Sequence, residues 1–373
     1  IDFTICLMRS AGRLVSKETC GLAFHLKRRK GFVPFANVEH RAGLCRQAGS
    51  KGAAVERRMM LDSNGPKSHA SVARIVEVGP RDGLQNESEV VPTSVKVAFV
   101  DALSKSGVAE IEAGSFVSPR AIPQLADSDE VFRRIERLPG VIYSALVPNE
   151  RGLERARAAA VTKIAVFTAA SDSFTRRNIN CTIGESIERF RPVVFGAKRD
   201  GMTVRGYVST VTHCPFEGAV QPSQVLDVVR QLLDLGVDEI SLGDTVGKAA
   251  PRDIRKLLDE IVPRIDRSRL SLHVHDTCGM AVANILTAWA EYSIEVFDTA
   301  AGGLGGCPYA PGASGNVATE DVVYALKASG ASLVVDERKV IAAASEIGKV
   351  LNCRLSSRLS KVQTEQTAYE GAA

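Results

Sequence analysis

Two histidines in the segment HVHD, His273 and His275, are separated by one residue at the end of an apolar run. Alternate side chains of a strand point to the same side, so both imidazoles can reach one metal ion. A single histidine in such a run is more often a core residue, but a spaced pair followed by an acid favours metal binding. The pair therefore predicts a metal site.

Asp82 and Asn316 can add two oxygen ligands to these imidazoles. Asp82 alone could also serve as a helix cap. A mixed oxygen and nitrogen set suits an octahedral ion, which favours Mg²⁺ or Mn²⁺ over Zn²⁺. Zn²⁺ becomes a candidate if Cys307 approaches the metal. Such an ion lowers the pKa of a substrate hydroxyl and polarises a carbonyl.

Arg81 directly precedes Asp82, after the apolar run RIVEVG at residues 74–79. A fixed arginine beside a metal can stabilise the oxyanion of an enolate, although Arg81 could instead only form an ion pair with an acid such as Glu112. Cys307 lies in GGLGGCPYAPGASGN, a loop of small residues that lets a substrate approach the backbone. Its thiol is either an acid–base group or a small buried residue. Together these groups predict a retro-aldol or retro-Claisen carbon–carbon cleavage.

Eight short apolar runs alternate with amphipathic segments, and this alternation must position the polar residues. Eight strand–helix units predict an α/β fold, the (β/α)8 TIM barrel, whose active sites lie at the carboxyl ends of the strands. An open doubly wound sheet is the alternative, but no G-x-G-x-x-G turn follows the first strand. The predicted strands are residues 74–79, 108–114, 141–147, 163–169, 203–209, 238–244, 270–276 and 294–300.

The first 70 residues differ from the rest of the chain. They hold 13 Lys/Arg against 5 Asp/Glu and lack apolar periodicity, which predicts a poorly ordered basic extension that is a targeting segment or an upstream mistranslation. Residues 71–350 form the predicted catalytic barrel, and residues 351–373 form a tail. The body is mildly acidic and no apolar run is long enough for a membrane span, so neither nucleic acid nor a membrane is an expected partner.

Three segments, VGPRDGLQNE, HVHDTCG and GLGGCPYAPGASGNVATED, resemble the hydroxymethylglutaryl-CoA lyases, metal-dependent enzymes built on a TIM barrel. The resemblance covers roughly residues 72–350. It implies cleavage of 3-hydroxy-3-methylglutaryl-CoA to acetyl-CoA and acetoacetate, a step of leucine degradation and ketone body formation. It also implies an acyl-CoA substrate and a homodimer.

Carried onto this chain, the family pattern assigns the metal ligands, the enolate-stabilising Arg81 and the catalytic thiol of Cys307. It also implies further catalytic roles for Glu112 and Asp244, substrate contacts for Gln85, Ser241 and Arg205, and a supporting role for Glu320. The implied metal ligands are Asp82, His273, His275 and Asn316.

Three alternatives remain open at this point. The isopropylmalate- and homocitrate-type synthases share the R-D-G-x-Q element and the paired histidines but not the glycine–cysteine loop. A lyase for a larger 3-hydroxyglutaryl-CoA would differ only in pocket size. A catalytically inactive barrel that acts as a scaffold would not need this complete set of site residues. We expect a cytoplasmic enzyme, or one of the mitochondrial matrix if the basic extension is a transit peptide.

Overall fold

In the computed structural model, residues 72–306, 315–352 and 355–362 are described. Eight parallel strands close into a barrel, as the sequence predicted. A separate two-stranded hairpin pairs His213–Cys214 with Gly218–Ala219. The barrel strands are β1 (Arg74–Glu77), β2 (Glu110–Ser115), β3 (Ile142–Leu146), β4 (Lys163–Ala169), β5 (Thr203–Ser209), β6 (Glu239–Asp244), β7 (Leu270–Val274) and β8 (Val296–Thr299).

Strand order follows the sequence, and the barrel closes where β8 pairs with β1. The register of this closure places Glu77 beside Thr299. All strands run in the same direction, so the segments after β1, β7 and β8 lie at one end of the barrel. Residues that follow the first strand and residues that follow the last strand therefore become neighbours there.

Helices cross between consecutive strands and cover the barrel. Their ends follow sequence signals: α6 begins at Pro222 and ends before Gly236, whose φ of 104° suits a helix-terminating glycine. The helices are α1 (Thr93–Ser104), α2 (Ser128–Arg134), α3 (Glu150–Ala158), α4 (Asp172–Ile179), α5 (Ile183–Arg199), α6 (Pro222–Leu235), α7 (Pro251–Ile261), α8 (Ala281–Tyr292), α9 (Thr319–Ala328) and α10 (Glu337–Leu351).

Apolar side chains fill the layer between the strands and the helices, with Val100, Ile111 and Ile164 fully buried there. The barrel interior is different, because charged side chains meet across it. Arg205 of β5 contacts Asp298 of β8, although these strands are not neighbours in the sheet. The interior of this barrel therefore differs from the usual TIM barrel, whose interior is filled by layers of branched apolar side chains.

The strand predictions are correct in number and order, and their ends differ by at most two residues. The predicted extension, residues 1–70, lies outside the described residues. Part of the predicted tail is packed on the barrel: the backbone N–H of Arg358 donates to Asp321 Oδ2 at 2.9 Å, and that of Ser356 donates to Gly302 O at 3.0 Å. Among the described helices, none has the length and apolar character needed to cross a membrane.

Candidate active site

Asp82, His273 and His275 meet at the carboxyl end of the barrel. One ligand atom from each lies within 4.8 Å of the others. The two Nε2 atoms of the histidines are 3.3 Å apart, so both imidazoles point at the same position. One carboxylate and two imidazoles at these separations can share a single metal ion.

Asn316 joins this group from the chain that follows β8. Its Nδ2 donates to Asp82 Oδ2 at 2.8 Å, and its Oδ1 is buried without a hydrogen-bond partner among the described residues. Its backbone also forms a bridge with His275. A buried amide oxygen without a partner is costly unless a ligand occupies it, which fits the predicted fourth metal ligand.

The protonation states of these groups also suit a cation. Burial lowers the pKa of His275 to about 4, so its imidazole is neutral at physiological pH and can offer a lone pair. Burial alone would raise the pKa of Asp82, but Arg81 and the two histidines hold it below the usual range. The residues therefore fit a divalent metal ion on donor chemistry and on geometry.

A tight π-helical turn, Gly79–Gly83, directs Arg81 and Asp82 from the end of β1. The backbone N–H groups of Arg81 and Asp82 both donate to Val78 O, at 3.1 and 2.7 Å. A Cβ on Gly83 would lie 2.9 Å from the Cβ of Leu304, so only glycine permits this approach to the segment after β8. Asp82 is therefore placed by the turn, and its predicted alternative role as a helix cap is not observed.

The guanidinium of Arg81 is held beside this group of candidate metal ligands. Its Nε donates to Glu112 Oε2 at 2.6 Å, its Nη1 donates to Asp82 Oδ1 at 2.5 Å, and its Cζ lies 5.5 Å from the ring centre of Tyr207. The Tyr207 hydroxyl also donates to Glu112 Oε2, at 3.2 Å. These contacts fix the orientation of a buried positive charge, which an oxyanion-stabilising group requires.

Asp298 supports His273 from inside the barrel. Its Oδ2 lies 3.3 Å from His273 Nδ1, and it accepts hydrogen bonds from Arg205 Nη2 at 2.6 Å and Ser241 Oγ at 2.8 Å. A carboxylate behind a metal-binding histidine fixes the ring and its tautomer. Arg205 and Ser241, which the resemblance assigned to substrate contacts, are thus engaged with a residue that orients His273.

The remaining predicted residues lie at the same end of the barrel in different settings. Asp244 accepts from Thr212 Oγ1 at 2.8 Å and from the Ala249 N–H at 3.0 Å, and burial raises its pKa. Gln85 is half-buried, and its Oε1 has no partner among the described residues. Glu320 accepts from the Gly302 N–H at 3.0 Å. Cys307 lies outside the described residues.

Sequence reasoning missed three buried groups near the site: Asp298, Tyr207 and Glu77. Asp298 is the one charged residue of β8, VFDT, and Tyr207 lies two residues after Arg205 on the same face of β5. A charged residue inside a short, buried strand is therefore a usable signal. Glu77 was passed over because its segment had the pattern of a fully buried strand.

Comparison with known proteins identifies the relatives of this chain. The family model described as HMGL-like matches residues 73–347. A cytoplasmic 3-hydroxy-3-methylglutaryl-CoA lyase from Rattus norvegicus is 50% identical over 288 residues, which cover 77% of this chain and 84% of the relative. A mitochondrial hydroxymethylglutaryl-CoA lyase from Bos taurus is 46% identical over 288 residues, 77% of this chain and 88% of the relative.

A solved structure agrees with these relatives. It is an HMG-CoA lyase from Acinetobacter baumannii in complex with coenzyme A and 3-methylmalate. It is 37% identical to this chain and superposes with a TM-score of 0.75, covering 79% of this chain and 96% of that one.

Proposed function

This chain belongs to the HMGL-like family of carbon–carbon lyases, and we propose that it cleaves 3-hydroxy-3-methylglutaryl-CoA to acetyl-CoA and acetoacetate. The observation that carries this proposal is the position of Arg81, whose guanidinium is bonded to Asp82 at 2.5 Å beside both histidines. One end of the barrel thus combines ligands for a cation with a fixed positive charge. The cation would activate the substrate hydroxyl, and the positive charge would stabilise the departing enolate.

Asp82, His273, His275 and Asn316 would hold the divalent ion, for which the mixed donors favour Mg²⁺ or Mn²⁺ over Zn²⁺. When bound, the ion supplies a lower pKa for the 3-hydroxyl and a more polar carbonyl. The buried, neutral His275 and the ionised Asp82 leave lone pairs available for it.

Cleavage breaks the bond between C2 and C3 of the substrate. The 3-hydroxyl loses its proton, the C3–O bond becomes the carbonyl of acetoacetate, and the electrons of the broken bond pass to the thioester as an enolate. Arg81 donates hydrogen bonds to the enolate oxygen, because Glu112 and Tyr207 hold its guanidinium in place. Addition of a proton at C2 then gives acetyl-CoA.

Two groups are proposed to move these protons. Asp244, whose pKa burial raises, accepts the hydroxyl proton, and the thiol of Cys307 delivers a proton to C2. Gln85 is proposed as a substrate contact because its Oε1 is buried without a partner among the described residues. Glu320 supports the site through the backbone N–H of Gly302.

The first test is acetoacetate release from 3-hydroxy-3-methylglutaryl-CoA with Mg²⁺ or Mn²⁺, with EDTA, and in Arg81→Gln and Cys307→Ser. We expect metal-dependent turnover that falls about 10²- to 10³-fold in Arg81→Gln without loss of metal binding. Arg269, whose Nε donates to the backbone carbonyl of Asp238 at 2.8 Å, offers the control Arg269→Gln, for which turnover should be retained.

Other outcomes would redirect the proposal. Near-normal turnover in Arg81→Gln would contradict its role at the enolate. An inactive, folded and metal-loaded wild type that cleaves a longer-chain 3-hydroxyglutaryl-CoA would indicate the larger-substrate lyase. Condensation of acetyl-CoA with a 2-oxo acid would indicate the synthase.

The cellular setting is proposed from the names of the relatives, which include cytoplasmic and mitochondrial lyases. We favour the cytoplasm, with the mitochondrial matrix as the alternative if residues 1–70 act as a transit peptide. Fusion of those residues to a fluorescent protein distinguishes the two. A homodimer is the proposed assembly, and sedimentation of the full chain tests it.

A further inference from the structure

Glu77 is a fully buried carboxylate at the end of β1 that has no part in the proposed chemistry. Its Oε1 accepts the backbone N–H of Gly79 at 2.8 Å and that of Ala301 at 3.0 Å, and its Oε2 accepts the hydroxyl of Thr319 at 2.6 Å. The three donors belong to the turn that carries Arg81 and Asp82, to the segment after β8, and to the start of α9. One side chain thus joins three separate segments.

The surroundings of Glu77 are closely fitted. A Cβ on Gly79 would lie 2.7 Å from Glu77 Oε1, so the turn can approach the carboxylate only because this residue is glycine. The Thr319 hydroxyl gives its hydrogen to Glu77, so Thr299, 2.7 Å away, must be the donor to Thr319. The arrangement is specific for an acceptor at position 77.

A second buried acid, Glu320, lies on the same segment. The N–H of Gly302, next to Ala301, donates to Glu320 Oε2 at 3.0 Å. Two consecutive backbone amides are therefore bound by two different glutamates. Burial raises the pKa of Glu77 to about 7 in spite of its three donors, and the negative charge of Glu320 on α9 acts in the same direction. Its hydrogen-bond donors are the Thr319 hydroxyl and the two amides, and Thr299 of β8 is hydrogen-bonded to Thr319.

We propose that Glu77 is a positioning residue whose ionised carboxylate holds the Arg81–Asp82 turn against the segment after β8. An ionised carboxylate accepts amide hydrogens about twice as strongly as a neutral group. Protonation weakens the contacts to Gly79 and Ala301 and loosens both segments together. The consequence for turnover rests on the proposed lyase activity, whereas the consequence for the backbone does not.

The substitution Glu77→Gln keeps the shape of the side chain and removes its charge. We expect kcat to fall about tenfold above pH 8 with little change in KM, the size of effect seen when a group behind a functional residue is removed. The wild-type kcat should decline as the pH falls through about 7, where Glu77 takes up a proton. That part of the pH profile should be absent from Glu77→Gln.

Hydrogen–deuterium exchange gives a readout that needs no substrate. The amides of Gly79 and Ala301 should exchange about tenfold faster in Glu77→Gln than in the wild type, because their acceptor is weakened. In the wild type their protection, corrected for the intrinsic rate, should decrease between pH 8 and 6. If the wild type releases no acetoacetate, the proposed function fails, and this exchange measurement alone decides the role of Glu77.

Glu110→Gln is the matched control, because Glu110 is a buried glutamate on the neighbouring strand β2 whose carboxylate pairs with Lys163, whereas the amides of Gly79 and Ala301 donate to Glu77. It should leave the kcat–pH profile and the exchange of both amides unchanged. Wild-type exchange and pH profile in Glu77→Gln would overturn the proposal, and so would a lower unfolding midpoint with no change in either. If Glu77→Gln does not fold, Thr319→Val should show the effects predicted for it, and Thr319→Ser, which keeps the hydroxyl, should show the wild-type values. Wild-type amide exchange and a wild-type kcat–pH profile in Thr319→Val would overturn the proposal.

Discussion

The barrel interior contains two groups of charged and polar side chains at opposite ends. The basal cluster consists of Glu110, Lys163, Arg205 and Glu239, of which three are the first residues of their strands. The metal-site cluster consists of Arg81, Asp82, His273, His275 and Asn316, at the carboxyl ends. Both are buried in the same barrel, so their differences separate what folding requires from what chemistry requires.

The charges of the basal cluster form ion pairs with one another. Lys163 Nζ lies 2.6 Å from Glu110 Oε2 and 2.7 Å from Glu239 Oε1, and Arg205 Nε lies 3.4 Å from the same oxygen of Glu239. Within the cluster two cations face two anions, and Arg205 also donates to Asp298 outside it at 2.6 Å. In the metal-site cluster, two imidazoles, a carboxylate and an amide oxygen lie around one position. The metal-site cluster thus differs from the basal cluster in that its ligand atoms converge on one position.

Removal of a proposed metal ligand should have the largest effect on turnover. In His275→Ala we expect turnover to fall at least as far as the roughly 10²- to 10³-fold cost of losing one electrostatic catalytic group, with the fold retained. Titration calorimetry with Mn²⁺ and an acetoacetate assay measure the two effects. His213→Ala removes a half-buried histidine of the hairpin and should keep Mn²⁺ affinity. Unchanged Mn²⁺ affinity in His275→Ala would remove it from the ligand set.

The reverse result is expected for the basal cluster. Lys163→Met leaves Glu110 and Glu239 without their common partner, and breaking a buried ion pair costs about 3–5 kcal/mol of unfolding free energy. Urea unfolding measures the loss, and kcat at a temperature where the variant is folded should be near the wild-type value. Lys198→Met breaks an exposed pair with Asp238 and should cost less than about 1 kcal/mol. A large fall in kcat for Lys163→Met would mean that the two ends are coupled.

The metal-site cluster should also make the stability of the protein depend on pH in acid, through His275. The folded-state pKa of His275 is about 4, below the unfolded value, so on lowering the pH from about 6.5 to 4 the unfolded chain binds a proton that the native one does not. The free energy of unfolding of the metal-free protein should therefore decrease over this range, by about 3 kcal/mol at most from this group. Urea midpoints of wild type and His275→Ala against pH test this. Parallel curves would contradict it.

A milder change lies between the clusters. Asp298→Asn weakens the contact that orients His273, and loss of such a partner usually lowers metal affinity about 10- to 100-fold. Mn²⁺ titration measures the change. Ser271→Ala is the control, since Ser271 accepts from Arg205 at 2.5 Å and does not contact His273. Equal effects of the two variants would show that Asp298 acts only by keeping Arg205 in place.

The strands and the histidine pair were predictable because alternation and spacing are local properties of the sequence. The same local properties did not show which polar residues belong to the basal cluster and which to the metal-site cluster. Glu110 and Glu112 share a face of β2, as the spacing predicted, yet the first pairs with Lys163 in the basal cluster and the second with Arg81 at the site. Asp298 acquires Arg205 and Ser241 as partners only when non-neighbouring strands meet across the interior, which no local pattern records.

The seam between β1 and β8 has a consequence for how the protein is made. Asp82 and Asn316 are 234 residues apart in the chain and are joined by one hydrogen bond of 2.8 Å. A nascent chain that has not yet emerged to β8, Val296–Thr299, cannot close the barrel, and one that has not emerged to residue 316 lacks one of the four proposed metal ligands. Metal binding should therefore come late in folding, and a bound ion would stabilise completed barrels over truncated ones by mass action. A bound ion would thus selectively stabilise, during biosynthesis, chains that extend at least to residue 316.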